Sequence, residues 1–368
     1  MILGSYVRDI FNSETITGTG RVNKALGPFE LPASAKFHEY FDMVNKLPED
    51  DKPSMFGLPA NIERSYQRMS SGGTINQLKT LMRSVAGGSK FEREKWNKEL
   101  TPILNLWKKL NQGSSLLQMK LHPPTAGEKD PMKAFIELEF YNGVTLLQSI
   151  HKALSGLSKV IRGSALLDEK VSKLADSLLR QETPGNWNKM WDGPEDPMDY
   201  LQVIVQKSNE VQKWKSMTDQ LLHQELDLSD LFNPETFLGA LRQLTAREYG
   251  LPMDELRFAN AWGRGTVPGA SVPIKVGGLM IEGALFDGAK LSPNSHDSPT
   301  FTTVPNSTMA WVPSKGHEHH YNDNATIRVP LYYSSERDKV VAFMDLPSGG
   351  KKDTWLQSGT VLFLNTHL

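Results

Sequence analysis

At about Leu251 the apolar residues of this protein change their spacing, from every third or fourth position to every second. The first spacing builds one face of a helix and the second one face of a strand. The two periods are segregated along the sequence, so the expected class is α+β, with helices first and strands last. At 368 residues the protein has room for two or three units at about 150 residues each. With 39% hydrophobic residues it can bury a core in them.

The helical period is nearly unbroken from about Phe91 to Tyr249. Trp96, Leu100, Ile103, Leu104, Trp107 and Leu110 share a stripe, and Gly113 is placed to end that helix. Pro123-Pro124 marks 121–131 as a loop. A long helix follows, with Phe135, Leu138, Val144, Leu147, Ile150 and Leu154 on its apolar face. Asp168 is expected to cap the next, which carries Val171, Leu174 and Leu178. Beyond Pro184, Gly193, Pro194 and Pro197, residues Tyr200 to Trp214 are again helical, and Asn233-Pro234 reads as an N-cap with proline in the first turn. Together these form a bundle.

Ahead of the bundle the pattern predicts three short helices. One follows a Ser34 cap and carries Phe37, Tyr40 and Phe41. A second, with Ile62, Tyr66 and Met69, is stopped by Gly72-Gly73. The third, with Ile75, Leu78 and Leu81, ends at Gly87-Gly88. Such a segment is expected to complete a fold that precedes it. Beyond Leu251, segments 272–286, 308–313, 325–333, 339–346 and 354–364 read as strands, with turn signals at Asp287-Gly288 and Ser348-Gly349-Gly350 and a bulge expected at Gly277-Gly278. They predict a small antiparallel β-barrel or sandwich. The expected units are therefore 1–88, 89–250 and 251–368.

Chemistry is sparse. There is no cysteine, which removes disulfides, thiolate metal sites and a cysteine nucleophile together. The net charge of -1 provides no field to gather nucleic acid or an acidic membrane. No apolar run approaches the roughly 20 residues that span a bilayer, and Met1 to Ser5 lacks the basic start of a signal peptide, so a soluble intracellular protein is expected. A phosphate loop needs glycine, four residues, then Gly-Lys and a hydroxyl. Gly349-Gly350-Lys351-Lys352, Gly88-Ser89-Lys90 and Gly18-Thr19-Gly20 are fragments of such loops only. His317, Glu318, His319 and His320 have ligand chemistry, but their setting of Pro313, Gly316 and Asn322 is that of a loop between strands rather than a zinc-binding helix. Asp192, Glu195 and Asp196 would suit a paired-carboxylate hydrolase, but turn formation and helix capping account for them. No catalytic, cofactor or metal residue is assigned.

The tryptophans divide into groups. Trp96, Trp107 and Trp214 lie on helical stripes, while Trp311 and Trp355 sit in strand patterns near a possible barrel mouth. Trp187, Trp191 and Trp262 lie in loops beside Gly or Pro. With Pro194 they are candidates for docking on a neighbouring protein surface, through loops 184–197 and 262–268.

Several stretches resemble dynein heavy chains, in order and over essentially the whole sequence. Phe56-Gly57-Leu58-Pro59-Ala60-Asn61-Ile62 is similar to the small-subdomain signature of the sixth AAA+ module, and Asn142 to Gly163 resembles a helix closing on Ile161-Arg162-Gly163. Pro184 to Trp191 looks like the family's Pro-x-x-Trp loop, and Phe232 to Gln243 like the helix leading into its terminal domain. Gly278-Leu279-Met280-Ile281-Glu282-Gly283-Ala284, Pro330-Leu331-Tyr332-Tyr333 with Arg337, and Trp355 to Phe363 are similar to its strands. Asp51-Lys52-Pro53-Ser54, Leu106 to Asn111 and Gly193-Pro194-Glu195-Asp196-Pro197 look most like the cytoplasmic dyneins of retrograde intraflagellar transport.

The resemblance implies that 1–88 is the end of a degenerate sixth AAA+ module, 89–250 the helical part of the C-terminal domain and 251–368 its β-barrel. It implies a non-catalytic, regulatory end piece that packs on the AAA+ ring and tunes motility, with no cofactor of its own because ATP and ADP bind other modules. Arg64 would be a remnant of a sensor arginine or an ordinary surface residue. The implied partner is the rest of the ring, with microtubules reached only through other parts of the motor and no nucleic acid or membrane contact. The fragment would be monomeric and the parent protein dimeric, in the cytoplasm and the cilium. The alternatives are an independent module whose barrel binds a protein or ligand, and a hydrolase built on the carboxylates or histidines.

Overall fold

The computed structural model describes residues 36–45, 60–84, 92–124, 127–294, 299–314 and 325–364. Ser34, Pro59 and the residues just before it, Gly87-Gly88, Gly88-Ser89-Lys90, Gly18-Thr19-Gly20 and the His317–His320 cluster lie outside them.

Helix α1 is Phe37–Asn45 and α2 is Ala60–Ser84. The second differs from expectation: one continuous helix runs through Gly72-Gly73 where two were predicted. Glycine stops a helix by turning left-handed, and neither residue is among the glycines with positive φ. Held in helical geometry, each costs only about 1 kcal/mol relative to alanine.

The bundle begins with α3 (Arg93–Leu110), which buries Trp96, Leu100, Ile103 and Trp107 as its stripe predicts. Helix α4 (Pro131–Arg162) is the longest of the bundle and its axis. Asp130 caps it by accepting from the Met132 and Lys133 amides, and Gly163 closes it at φ 76, where the Gly163 and Ser164 amides satisfy the carbonyls of Val160 and Lys159. Asp168 caps α5 (Glu169–Leu179) through the Val171 amide at 2.7 Å, as predicted. After the one-turn α6 (Gly185–Asn188), α7 (Pro197–Ser216) is capped by Asp196 and packs along α4. Helix α8 (Pro234–Tyr249) starts at Asn233-Pro234 and ends on Gly250.

The strands are β1 (Glu225–Asp227), β2 (Leu256–Trp262), β3 (Ile274–Gly277), β4 (Met280–Glu282), β5 (Leu285–Phe286), β6 (Leu291–Ser292), β7 (Thr302–Thr303), β8 (Ser307–Pro313), β9 (Thr326–Tyr332), β10 (Val340–Pro347) and β11 (Val361–Phe363). They form a sheet in the order β1-β3-β8-β2, another in the order β10-β9-β11-β4-β7, and the hairpin β5-β6. The segment 272–286 is therefore three strands rather than one bulged strand. Gly278, at φ 75, turns the backbone out of one sheet and into the other, and a Cβ there would lie 2.5 Å from the Asp227 carboxylate.

Two further expectations are corrected. The sheets are not purely antiparallel, because β1 pairs parallel with β3, and β11 parallel with β9. Residues 354–364 are not one strand: a helix, α9 (Lys352–Gln357), buries Trp355 and donates its indole N–H to the Ser348 carbonyl at 2.9 Å, leaving only 361–363 as strand. Of the expected barrel or sandwich, the described residues form separate ladders, with none that closes the sheets into a barrel. The edges β2 and β10 are bridged by side chains instead. The Asp345 amide donates to Asn260 Oδ1 at 2.8 Å, and the Asp345 carbonyl accepts from Asn260 Nδ2 at 3.1 Å and Trp262 Nε1 at 2.8 Å.

One core is continuous from Trp96 in the bundle to Leu364 beyond the last strand. Sheet and bundle are thus packed as one body. Their joint is the segment Glu225–Asn233, which contributes β1 to a sheet and then returns to the bundle as the start of α8.

Candidate functional site at the helix–sheet junction

Two of the candidate docking residues converge on this joint, but facing inward. Trp187 is 0% exposed and stacks on Tyr200, with ring centroids 6.0 Å apart. Trp191 packs on Tyr200 and edge-on to Phe232, at 5.5 Å each, and donates its indole N–H to the Phe232 carbonyl at 3.2 Å. The Tyr200 hydroxyl donates to the Trp191 carbonyl at 3.0 Å. Neither ring faces a neighbouring surface, because loop 183–197 folds over both. Thr183 ties the loop shut through the carbonyls of Pro194 and Glu195, both at 2.9 Å. Gly193 permits the fold, since a Cβ there would lie 2.1 Å from the Trp191 ring. Pro194 and Trp262 are half-buried, Trp262 with its ring edge-on to Phe286 at 5.0 Å.

Two carboxylates of that loop have structural partners. Asp196 accepts from the Met198 and Asp199 amides as the α7 cap, and Asp192 pairs with Lys339 at 2.9 Å, tying the loop to the β9–β10 connection. His151 accepts the Trp107 indole N–H at 3.2 Å. Arg64 is exposed on α2. No group of three His, Asp or Glu suited to a metal occurs among the described residues.

Behind Trp191 lie two buried charges that the sequence pattern did not single out. Lys207, on α7, is 2% exposed and donates to the carbonyls of Ser229 and Leu231, the latter at 2.9 Å, with the Trp191 and Tyr333 rings 5.8 and 5.4 Å from its ammonium. Burial pushes its pKa down to about 8, against the pull of Asp230, Glu139 and Asp227. Glu139, on α4, is also 2% exposed. Its oxygens accept from the Asn233 amide at 2.8 Å and from Asn233 Nδ2 at 2.9 Å. Burial raises its pKa, and the Asn233 bonds hold it back. Asn233 therefore spends its side chain on Glu139, and α8 has no side-chain cap bond from it. Burial, with Asp227 and Glu210 nearby, pushes Asp230 up to about 6.

A signal for both was present. Lys207 sits seven residues after Tyr200 and three after Ile204, on the apolar face of α7, and Glu139 sits four after Phe135 on that of α4. Their polar atoms are engaged with backbone and with Asn233, so the arrangement is suited to holding backbone segments in place rather than to reacting with a substrate.

A third buried charge lies within the sheets. Glu282 on β4, 2% exposed, accepts from Arg337 at 2.8 Å. Arg337 adopts a φ of 62 and lies 5.8 Å from the Phe363 ring of β11. This bond joins the Glu282 and Arg337 stretches, which carry the sequence resemblance separately.

Away from this body, α1 and α2 carry apolar groups toward solvent. Phe37 is 83% exposed, and on α2 Met69, Ile75 and Leu78 are 69%, 52% and 55% exposed. Exposed apolar groups of this kind are suited to contact with another protein surface.

Residues 69–364 match the C-terminal domain of dynein heavy chains, and the protein belongs to the dynein heavy chain family. Within that family the likeness is to cytoplasmic dynein 2 heavy chain 1. The Tripneustes gratilla protein of that name is 47% identical over 369 residues, covering 99% of this sequence and 8% of the relative. Chlamydomonas reinhardtii separates the classes: its cytoplasmic dynein 2 heavy chain 1 is 34% identical over 388 residues, covering 99% of this sequence and 9% of its own length. Its dynein-1-beta heavy chain of the flagellar inner arm I1 complex is 24% identical over 380 residues, covering 99% and 8%. The 368 residues thus span less than a tenth of the length of the relatives they match.

Proposed function

We propose that these residues are the non-catalytic structural and regulatory end of a cytoplasmic dynein 2 heavy chain, a minus-end-directed microtubule motor of retrograde intraflagellar transport. Their role is to pack on the AAA+ ring of the same heavy chain and tune its motility. ATP binding and hydrolysis, and the microtubule contact, belong to other parts of the motor. The parent protein works as a dimer on the ciliary cytoskeleton.

The observation that carries this reading is the contrast between the self-sufficient body and the apolar groups uncovered on α1 and α2. The uncovered side chains call for a protein surface, and the preceding modules of the same polypeptide are the natural one. Of the docking candidates, the half-buried ones contribute, Pro194 in its loop and Trp262, which is the last residue of strand β2 rather than a loop residue, because Trp187 and Trp191 are internal. The reading of a ligand-holding barrel draws no such support, because Met309, Ile327, Leu331, Met344 and Leu362 fill the space between the sheets at 0% exposure.

The test is a pair of complete heavy chains, one unaltered and one carrying Ile75→Asp and Leu78→Asp. The reading predicts that the altered motor retains its nucleotide sites but loses coupling of ATP turnover to microtubule gliding. Unchanged gliding, or ATP turnover by the 368-residue protein alone, would overturn it.

A further inference from the structure

We propose that Asp227–Asn233 is a latch between the helical bundle and the sheets, with Lys207 and Glu139 as the residues that position it. This inference concerns motion within the protein and stands independently of the motor reading.

The segment is set apart by its path. In a few residues the backbone pairs β1 with β3, turns through a 3-10 turn at Leu228–Asp230, and becomes the start of α8. A rotation of the first sheet against the bundle is therefore felt here, as it is at the connection from α8 to β2. It is also gripped from several sides. Lys207 of α7 holds the Ser229 and Leu231 carbonyls, Glu139 of α4 holds Asn233 at two points, and Trp191 of the 183–197 loop holds the Phe232 carbonyl. The Tyr333 hydroxyl, just past β9, reaches the Leu231 carbonyl at 3.5 Å. Phe232 closes the contact sterically: a Cβ on Gly143 of α4 would lie 2.5 Å from its ring.

The grips are polar where apolar contacts would cost less. Burying a lysine and a glutamate without pairing them directly is expensive, and well-packed apolar residues at such sites are commonly as stable or more so. What the charges add is direction. Hydrogen bonds to named backbone atoms hold in one register and fail abruptly when it shifts, whereas apolar surfaces slide. A joint held this way is expected to let go as a unit rather than to slide, which is the form in which displacement passes between packed bodies.

Hydrogen exchange on the full 368-residue protein tests this, using Glu139→Gln, Lys207→Met and, as a control, Ile150→Val in the bundle core. The glutamine still accepts from the Asn233 amide, but its Nε2 cannot accept from Asn233 Nδ2, and turning the Asn233 side chain offers only a neutral bond in place of the carboxylate's charged one. Amides of Leu231, Phe232 and Asn233 are expected to exchange roughly tenfold faster in both latch variants, with those of Leu147 and Leu331 unchanged. The control should lack this local signature. Adding Asn233→Asp to Glu139→Gln reverses donor and acceptor and should restore slow exchange. Should Lys207→Met fail to fold, Glu139→Gln and its rescue decide the matter. Acceleration spread evenly over bundle and sheets, no acceleration at 231–233, or a double variant as fast as the single would each overturn the latch.

Discussion

The body from Arg93 onward and the helix α2 are built from similar residues but end in opposite conditions. In the body, Leu147, Ile150 and Trp187 are enclosed by helices, loop and sheets that share one core. On α2, Met69, Ile75 and Leu78 face outward, and the Arg68 guanidinium, 5.5 Å from the Phe301 ring, is a light attachment to the sheets. The difference teaches that apolar content does not by itself say where a core lies. A stripe is a core only when its partner elements are present to cover it.

The sharpest way to break the comparison is Trp187→Ala. If the ring is internal, urea unfolding should show a loss of about 3–5 kcal/mol. An outward docking ring would cost almost nothing, and such a result would return Trp187 to the docking surface. Next is Arg337→Ala, which strands Glu282 in the sheet interior. Partial exposure of Arg337 moderates the effect, and a loss of about 2–3 kcal/mol is expected in the same measurement. Asn260→Ala opens the seam between β2 and β10. The expected cost is about 1–2 kcal/mol, with faster exchange of the Asp345 amide.

The pH dependence sharpens the comparison further, because shifted groups cluster at the junction. Asp230 has a folded pKa of about 6 against an ordinary 3.8, so its charged form is disfavoured by folding. Its penalty is fully present above about 6 and is relieved as pH falls toward 4, so this group makes the fold more stable in mild acid. Lys207, lowered from 10.5 to about 8, has the mirror sign: its penalty is present below about 8 and is relieved as pH rises toward 10.5. Denaturation midpoints of Asp230→Asn between about pH 4 and 7 should show a flatter profile than the unaltered protein. The smallest effect belongs to α2, where Ile75→Ser should change stability by no more than about 0.5 kcal/mol.

The bundle could be read from the sequence because its signals are local. The stripe from Trp96 to Leu110 and the Asp168 cap each act within a few residues, and both appear in the structure. The strand region was less legible, because its organisation depends on distant partners. Gly278 reads as a bulge until Asp227 is known to lie against it, and Trp355 has a strand's residue type but a short helix's hydrogen bonds. The junction failed for a related reason. Lys207 and Glu139 break the apolar pattern of their own helices, and only the returning Ser229–Asn233 segment explains why. The loop tryptophans misled because loop composition says nothing of what a loop covers.

The measurement that bears most directly on the account compares hydrogen exchange of the α2 amides, Met69 to Leu78, in the 368-residue protein and in a complete heavy chain. If α2 is the face that meets the ring, those amides should be strongly protected in the complete motor and fast in the shorter protein, while the amides around Leu147 and Leu331 exchange equally in both. Equal exchange of α2 in the two settings would contradict the proposal that this segment is completed by the rest of a heavy chain.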